Sequence, residues 1–309
     1  MGGYTMSNRR AFLKQVVIGG SALSMGLFPK ELFASGELLK LSVIHTNDMH
    51  CHFEPFPDSD AEYPGRGGLV RLASIVDKFR KENPNMLLLD AGDMFQGTPY
   101  FNYFKGDLIV KVMSRMGYDA GTLGNHEFDN GLGDILSALQ FANFPIVTSN
   151  YDFSDTILAG KTKAYYTLKK AGLKVGIYGL GIEMEGLVSR SNYGKARYLD
   201  PLETALKMER KLKLEHNCDL VICLSHLGFS YEQSKISDTK LAPQTRFTDL
   251  FVGGHTHTFL EKPSVLKNAD GNPVLVNQAG WAALEVGKID FIFDRSGKLK
   301  NHKAEIINL

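Results

Sequence analysis

Cysteine is scarce in this chain of 309 residues, which carries only Cys51, Cys218 and Cys223. An odd count without framework spacing excludes a fold stapled by disulfides. Cys218 and Cys223 flank an apolar run and read as small buried hydrophobes; Cys51, next to His50, reads as a bystander. Charge of either sign is also in no excess, since 35 bases face 34 acids for a formal net charge of +1. That balance leaves no electrostatic footprint for a nucleic-acid polymer or an anionic membrane. No apolar run reaches the about 20 residues that a stable membrane span needs. Low-complexity segments, internal repeats and linkers beyond Gly36 are absent as well.

What is present divides into a short leader and one long unit. Arg9-Arg10 precedes an apolar stretch from Val16 to Phe28, followed by the small residues Ala34, Ser35 and Gly36. Paired arginines, a moderately apolar segment and a small-residue exit predict a twin-arginine export signal over residues 1–36. The expected location is periplasmic or extracellular, in a bacterium. No cysteine near the exit offers a lipid anchor. Residues 37–309 are expected to form one catalytic domain.

Within that unit, apolar strands and helical periodicities alternate. Leu41–Thr46, Met86–Leu89, Ala120–Leu123, Ile146–Thr148, Leu220–Leu224, Leu250–Val252 and Val274–Asn277 read as strands. Helical spacing covers Gly68–Phe79, Leu108–Met116 and Leu132–Phe141. A further helix starts at Asp200-Pro201 with Glu203 and runs to about His216. Tyr165–Leu168 and Val175–Leu180, around Lys169-Lys170-Ala171-Gly172, predict a hairpin. Val286–Phe293 and a last strand near Ala304–Ile307 close the chain. Parallel-type units early and hairpins late predict a mixed α/β layered domain.

The polar residues that stand out sit just beyond the ends of apolar strands. Asp48 and His50 follow Val43–Asn47, Asp93 follows Leu87–Gly92, and Asn125 with His126 follows Gly121–Gly124. His226 follows Leu220–Ser225, and His255 with His257 follows Leu250–Gly254. In open α/β sheets such strand ends face a common crevice, so these loops are expected to converge. Neighbouring glycines let the backbone turn sharply there. Carboxylates, imidazoles and a carboxamide without thiolate suit two divalent ions, with Mn, Zn, Fe or Co favoured over Ca. A pair of such ions about 3.5–4 Å apart neutralises an anionic ester and provides a nucleophile at neutral pH. A lone histidine is more often structural, which assigns His45, His216 and His302 to the scaffold. His45 is expected to be a buried hydrogen bonder behind the site, and Asp90 a structural acid. His52 stands between a structural and a substrate-side role.

The ordered blocks His45-Thr46-Asn47-Asp48-Met49-His50, Gly92-Asp93, Gly124-Asn125-His126-Glu127-Phe128-Asp129, His226 and Gly254-His255-Thr256-His257 resemble the calcineurin-like metallophosphoesterase superfamily. Within it, they are similar to the metal domain of the 5′-nucleotidase branch, over roughly residues 40–295. The resemblance implies a four-layer α-β-β-α sandwich of two mixed sheets, with the dinuclear site at the strand ends. It implies that Asp48, His50, Asp93 and His257 hold one ion and that Asp93, Asn125, His226 and His255 hold the other, with Asp93 bridging. It gives His126 the role of transition-state stabiliser or general acid, oriented by Asp129. A carboxylate there would raise the imidazole's basicity and fix its tautomer.

The expected activity is that of an exported phosphoesterase acting on phosphate esters, nucleotide-like among them, by metal-activated hydroxide attack. In the 5′-nucleotidase branch a second domain recognises the nucleoside, and residues 37–309 contain no counterpart. The resemblance therefore leaves other readings open. One is a catalytic subunit whose substrate-recognition domain is a separate chain. The others are a sulfur-ester hydrolase and a non-catalytic metal-binding subunit.

Overall fold

The computed structural model describes residues 38–309. The expected export signal lies outside the described residues. Strands β1 (Leu38–Thr46), β2 (Met86–Asp90) and β3 (Ala120–Gly121) alternate with helices α1 (Leu69–Glu82), α2 (Pro99–Phe104) and α3 (Asp107–Met116). Then come α4 (Leu132–Leu139), the short β4 (Tyr151–Asp152), the hairpin β5 (Tyr165–Lys170) and β6 (Leu173–Leu180), and α5 (Arg190–Tyr193). β7 (Arg197–Tyr198), α6 (Pro201–Arg210), β8 (Leu220–Ser225), α7 (Asp238–Leu241) and β9 (Leu250–Gly253) follow. Two antiparallel pairs complete the order: β10 (Ser264–Lys267) with β11 (Pro273–Asn277), and β12 (Glu285–Asp294) with β13 (Leu299–Asn308).

The strands form two mixed sheets, in the order β13-β12-β1-β2-β3 and β10-β11-β9-β8-β6-β5. In the first, β1, β2 and β3 run parallel and β12 and β13 add antiparallel. In the second, β6, β8, β9 and β11 run parallel between antiparallel edge strands. Parallel units thus build both sheets, and not only the early half as the sequence pattern suggests. A strand buried on both faces shows no polar alternation, so its direction does not register in sequence.

The layering follows from which side chains each face hides. Leu41, Val43, Leu87, Leu89 and Phe291 of the first sheet meet Val175, Ile177, Ile222 and Val252 of the second in a buried middle layer. On the outer side of the first sheet, Ile44 and Leu88 pack under Leu72 and Val76 of α1, Ile109 and Met113 of α3, and Ile135 of α4. On the outer side of the second, Val221, Cys223 and Phe251 lie under Ala205 and Met208 of α6 and Leu241 of α7. The result is the expected four-layer α-β-β-α arrangement.

Local chemistry explains several boundaries. The Asp200 carboxylate accepts from Glu203 N at 2.8 Å with Pro201 in the first turn, as the sequence predicts, and α6 continues through a π-helical turn at Lys211–Glu215. The β5–β6 hairpin turns on Ala171 and Gly172 alone, at φ of 55° and 79°. That is the left-handed pair of a tight hairpin turn, so Lys169 and Lys170 belong to the strand. The segment predicted as a strand at Ile146–Thr148 makes only isolated bridges, from Ile146 to Gly121 and from Val147 to Lys163. The three cysteines are free and buried, and burial pushes the Cys51 thiol up to about 12, which makes it inert at neutral pH. His45 points between the sheets and shares a 2.8 Å hydrogen bond with Asn277 Nδ2 of β11. Burial holds its imidazole neutral, with a pKa lowered to about 3.

Truncating a ring in the middle layer is expected to be costly because both sheets close over it. Phe291→Ala should lower unfolding free energy by about 3–5 kcal/mol. Urea titration with an unchanged slope would check this, with Val265→Ala, at an exposed position, as the control. A loss below about 1 kcal/mol would contradict the packing.

Candidate metal centre

The parallel strands of both sheets deliver their C-terminal ends to one rim. There the loops after β1 and β2 run side by side, tied by Asp48 N to Gly92 O (2.9 Å), His50 N to Asp93 O (3.0 Å) and Cys51 N to Met94 O (3.0 Å). The loop after β9 joins them across the gap between the sheets, where His255 N donates to both oxygens of Asp48 at 3.0 Å. All the residues singled out at strand ends therefore meet in one place, although they span more than 200 positions of sequence.

Ligating atoms gather in two groups, those within each lying no more than 4.8 Å apart: Asp48, His50 and His257 in one, and Asp93, His226 and His255 in the other. Nε2 of His50 and Nε2 of His257 are 3.0 Å apart. Asp48 Oδ1 lies 3.4 Å from His257 Nε2 and 3.9 Å from His226 Nε2, so it touches both groups. Asp93 Oδ2 lies 2.9 Å from His226 Nε2. Asn125 Oδ1 sits 2.8 Å from His255 Nδ1, which brings the carboxamide to the second group.

The donor set fits divalent cations on several grounds. Nε2 of His226 is buried without a hydrogen-bond partner among the described residues, while Nδ1 of the same ring is 2.7 Å from Ala91 O. That carbonyl takes the Nδ1 proton and aims Nε2 into the site beside Asp93, where a bound cation would take the place of the Nε2 proton. Burial lowers the pKa of His50, and lowers that of His255 to about 4 with help from the charge of His226. Both imidazoles are therefore neutral and able to donate a lone pair. Burial opposes the charge on Asp93, yet His226 and His126 outweigh it and keep the carboxylate ionised. Burial likewise opposes a charge on His226, but Asp93 and Asp48 draw positive charge onto it and raise its pKa to about 10. Buried carboxylates that gather positive charge in this way suit a cation.

The backbone is bent to make this geometry. Asp48, His50, Asp93, His255 and His257 all adopt left-handed φ, between 48° and 75°. Each such residue costs on the order of 1–3 kcal/mol unless its surroundings hold it. Gly124 shows how close the approach is, because a Cβ there would lie 2.2 Å from Asp93 Oδ1 and 2.5 Å from His226 Nε2.

His126 stands beside the two groups rather than in them. Its ring centroid is 5.2 Å from that of His50, and its backbone N donates to Asp93 Oδ1 at 2.8 Å. Nδ1 lies 2.7 Å from Asp129 Oδ2. That hydrogen bond, against the effect of burial, raises the imidazole pKa to about 9. The side chain keeps 35% of its surface exposed, so it is open to a bound molecule.

Several contributors lie outside the residues picked from sequence. The buried Glu127 carboxylate accepts from four backbone amides: Asp93 (3.0 Å), Met94 (2.7 Å), Phe95 (3.0 Å) and Gly124 (2.6 Å). It clamps the loop after β2 to the loop after β3. Its place in the Gly-Asn-His-Glu string was the available signal. Asn47 donates to Asp48 Oδ2 at 2.7 Å and to Gly280 O at 2.6 Å, which aims the Asp48 carboxylate. Trp281 lies flat on His257 with centroids 5.4 Å apart, and meets His52 edge-on at 5.2 Å. His52 also stacks on Phe56 at 4.8 Å, and burial lowers its pKa to about 4. Asp90 accepts from Thr46 Oγ1 and from Gly92 N, so it shapes the turn before Asp93 as a structural acid. His216 bonds the Tyr165 hydroxyl, and His302 sits on β13 opposite Phe291, both in the scaffold.

Comparison with known proteins agrees with this architecture. Residues 41–259 match the family model described as calcineurin-like phosphoesterase. The chain is 34% identical to a snake venom 5′-nucleotidase of Gloydius brevicauda, over 84% of this chain and 46% of that one. It is 33% identical to the 5′-nucleotidase of Rattus norvegicus, over 87% and 49% of the two chains. Among solved structures, a 5′-nucleotidase precursor from Thermus thermophilus superposes with a TM-score of 0.80 at 36% identity, over 87% of this chain and 54% of that one. The chain thus spans about half the length of these relatives. On fold and family model alike, the chain belongs to the calcineurin-like phosphoesterase family, the metal-dependent phosphoester hydrolases.

Proposed function

We propose that this protein is an exported dinuclear phosphoesterase that hydrolyses nucleotide-like phosphate esters. The observation that carries the reading is the pair of ligand groups with the His126–Asp129 pair at their edge. In this assignment Asp48, His50, Asp93 and His257 hold one ion, and Asp93, Asn125, His226 and His255 hold the other. Asp93 is the bridge, a role supported by its 2.9 Å approach to His226 and by its charge acting on His50. Two divalent ions supply Lewis acidity and neutralise the charge of a phosphate ester.

The chain's own residues do the rest. Asp129 fixes the His126 tautomer and favours the imidazolium at neutral pH. His126 is then a cation and proton donor facing the phosphate, able to stabilise the anionic transition state and protonate the departing oxygen. Glu127 is a positioning residue that keeps the Asp93 and Asn125 loops in register. Trp281, flat against His257, limits that imidazole's rotation.

Export rests on Arg9-Arg10 and the apolar segment after them. Residues 1–36 would be the signal and 37–309 the catalytic domain. Among the described residues no helix is long and apolar enough to cross a membrane.

Three experiments test the assignment. Purified protein should bind two divalent ions per chain and hydrolyse 4-nitrophenyl phosphate; full metal loading with no turnover on any phosphate mono- or diester would refute the enzyme. Asp93→Ala should lose metal and activity together, whereas His126→Ala should keep its metal and lose roughly 10²–10⁴-fold in kcat. Equal metal loss in both variants would overturn the division of labour. Glu127→Gln withdraws acceptor capacity from the amide clamp and should weaken metal affinity by roughly 10–100-fold. Calorimetric titration of the metal would detect it, and an unchanged affinity would remove Glu127 from the site's supporting frame.

A further inference from the structure

The segment Gln278–Ala282, which follows β11, supplies no ligand in the assignment above, yet each of its residues touches a ligand or the neighbour of one. β11 lies parallel to β9, with Asn277 opposite Val252, so both strands end at the same rim. Gln278 is fully buried there. Its Nε2 donates to Gly254 O at 2.6 Å, and its Oε1 accepts from Thr256 Oγ1 at 3.0 Å and from Thr258 N. One carboxamide therefore holds the first, third and fifth residues of the turn Gly254–Thr258. The two between them are His255 and His257.

The rest of the segment grips the loop after β1. Ala279 N donates to Asn47 Oδ1 at 2.9 Å, and Gly280 O accepts from Asn47 Nδ2 at 2.6 Å. Both ends of the side chain that aims Asp48 are thus tied here. Ala282 N donates to Asp48 O at 2.8 Å, and Gly280 N to Thr258 O at 3.0 Å, which closes the segment onto the turn. Only glycine fits at this crossing, because φ of Gly280 is 60° and a Cβ would lie 2.3 Å from the Phe259 ring. Trp281 then lies on His257, with 7° between the ring planes. Asp48, His255 and His257 are in this way set before any ion arrives, as a preformed site requires.

His255 and His257 stand in left-handed backbone, at φ of 75° and 49°, a conformation that persists only under restraint. In the assignment above they serve different ions. A single restraint on both couples the two ions, since loosening it withdraws one imidazole from each. We propose that Gln278 is a positioning residue for both ions, fixing His255 and His257 through the backbone around and between them while binding neither ion itself. The proposal rests on the dinuclear reading and adds a residue on which both halves of the centre depend.

Metal titration tests it without turnover. Gln278→Met keeps the side-chain length and removes all three hydrogen bonds. Calorimetric titration of the metal-free variant with Mn²⁺ should show both ions bound roughly 10–100-fold more weakly. Thr256→Val removes one of the three bonds and should weaken both ions by less, whereas Thr256→Ser keeps the hydroxyl and the affinity. That pair decides the matter should Gln278→Met fail to fold. A role in stability alone predicts a lower unfolding midpoint with unaltered affinities in the folded variant, and this result would overturn the proposal. So would loss of one ion while the other binds as before. The second readout is imidazole NMR of the metal-free protein. The resonances of His255 and His257 should move in Gln278→Met while that of His216, held on Tyr165, stays. Unmoved His255 and His257 would refute the positioning. Should the unaltered protein bind no ion, the phosphoesterase reading fails, and the imidazole resonances alone decide the role of Gln278.

Discussion

Everything in this molecule depends on the face-to-face burial of two mixed sheets. The middle layer removes Leu41, Val43, Leu87, Phe291, Ile177, Ile222 and Val252 from water, and area burial of this kind is the dominant favourable contribution to folding. Because the central strands of each sheet are parallel, their polar termini gather at a rim. Packing one sheet on the other then brings two rims together. The ligand groups are a by-product of that geometry: neither sheet alone presents all of them, and Asp48 of the first touches His226 and His257 of the second.

The rim would be unstable as a bare collection of buried polar groups. It persists because nearly every one has a defined partner. Glu127 satisfies four amides, Asn47 spans Asp48 and two backbone positions, and Ala91 O takes one nitrogen of His226. Such networks are worth more than their separate bonds and hold a single arrangement. Left-handed backbone at five of the ligating residues is tolerable only within this frame.

Much of this was legible in the chain itself. Short apolar runs ending in Asp, Asn or His marked the strands and the site together, and the spacing of Leu69, Leu72 and Val76 marked α1. The hairpin at Ala171-Gly172 and the Asp200 cap carried their own local signals. What escaped was non-local. Glu127 looks like any acid in a turn until the loop after β2 is laid against it. The direction of β6, β8, β9 and β11 leaves no mark in fully buried strands, and the weak pairing of Ile146 could not be told from a strand by composition. The ring stack of His52, Phe56 and Trp281 joins residues more than 200 positions apart, which no periodicity reports.

The division of ligands between the two sheets ties ion occupancy to the integrity of the whole fold. With ions held as assigned, prising the sheets apart would dismantle both coordination shells at once, so no partly opened form could keep its metal. Binding to the native form alone would add stability that grows with the logarithm of free ion concentration. Resistance to proteolysis would then follow the ion supply of the surroundings, and scarcity of metal would shorten the life of the protein as well as silence it.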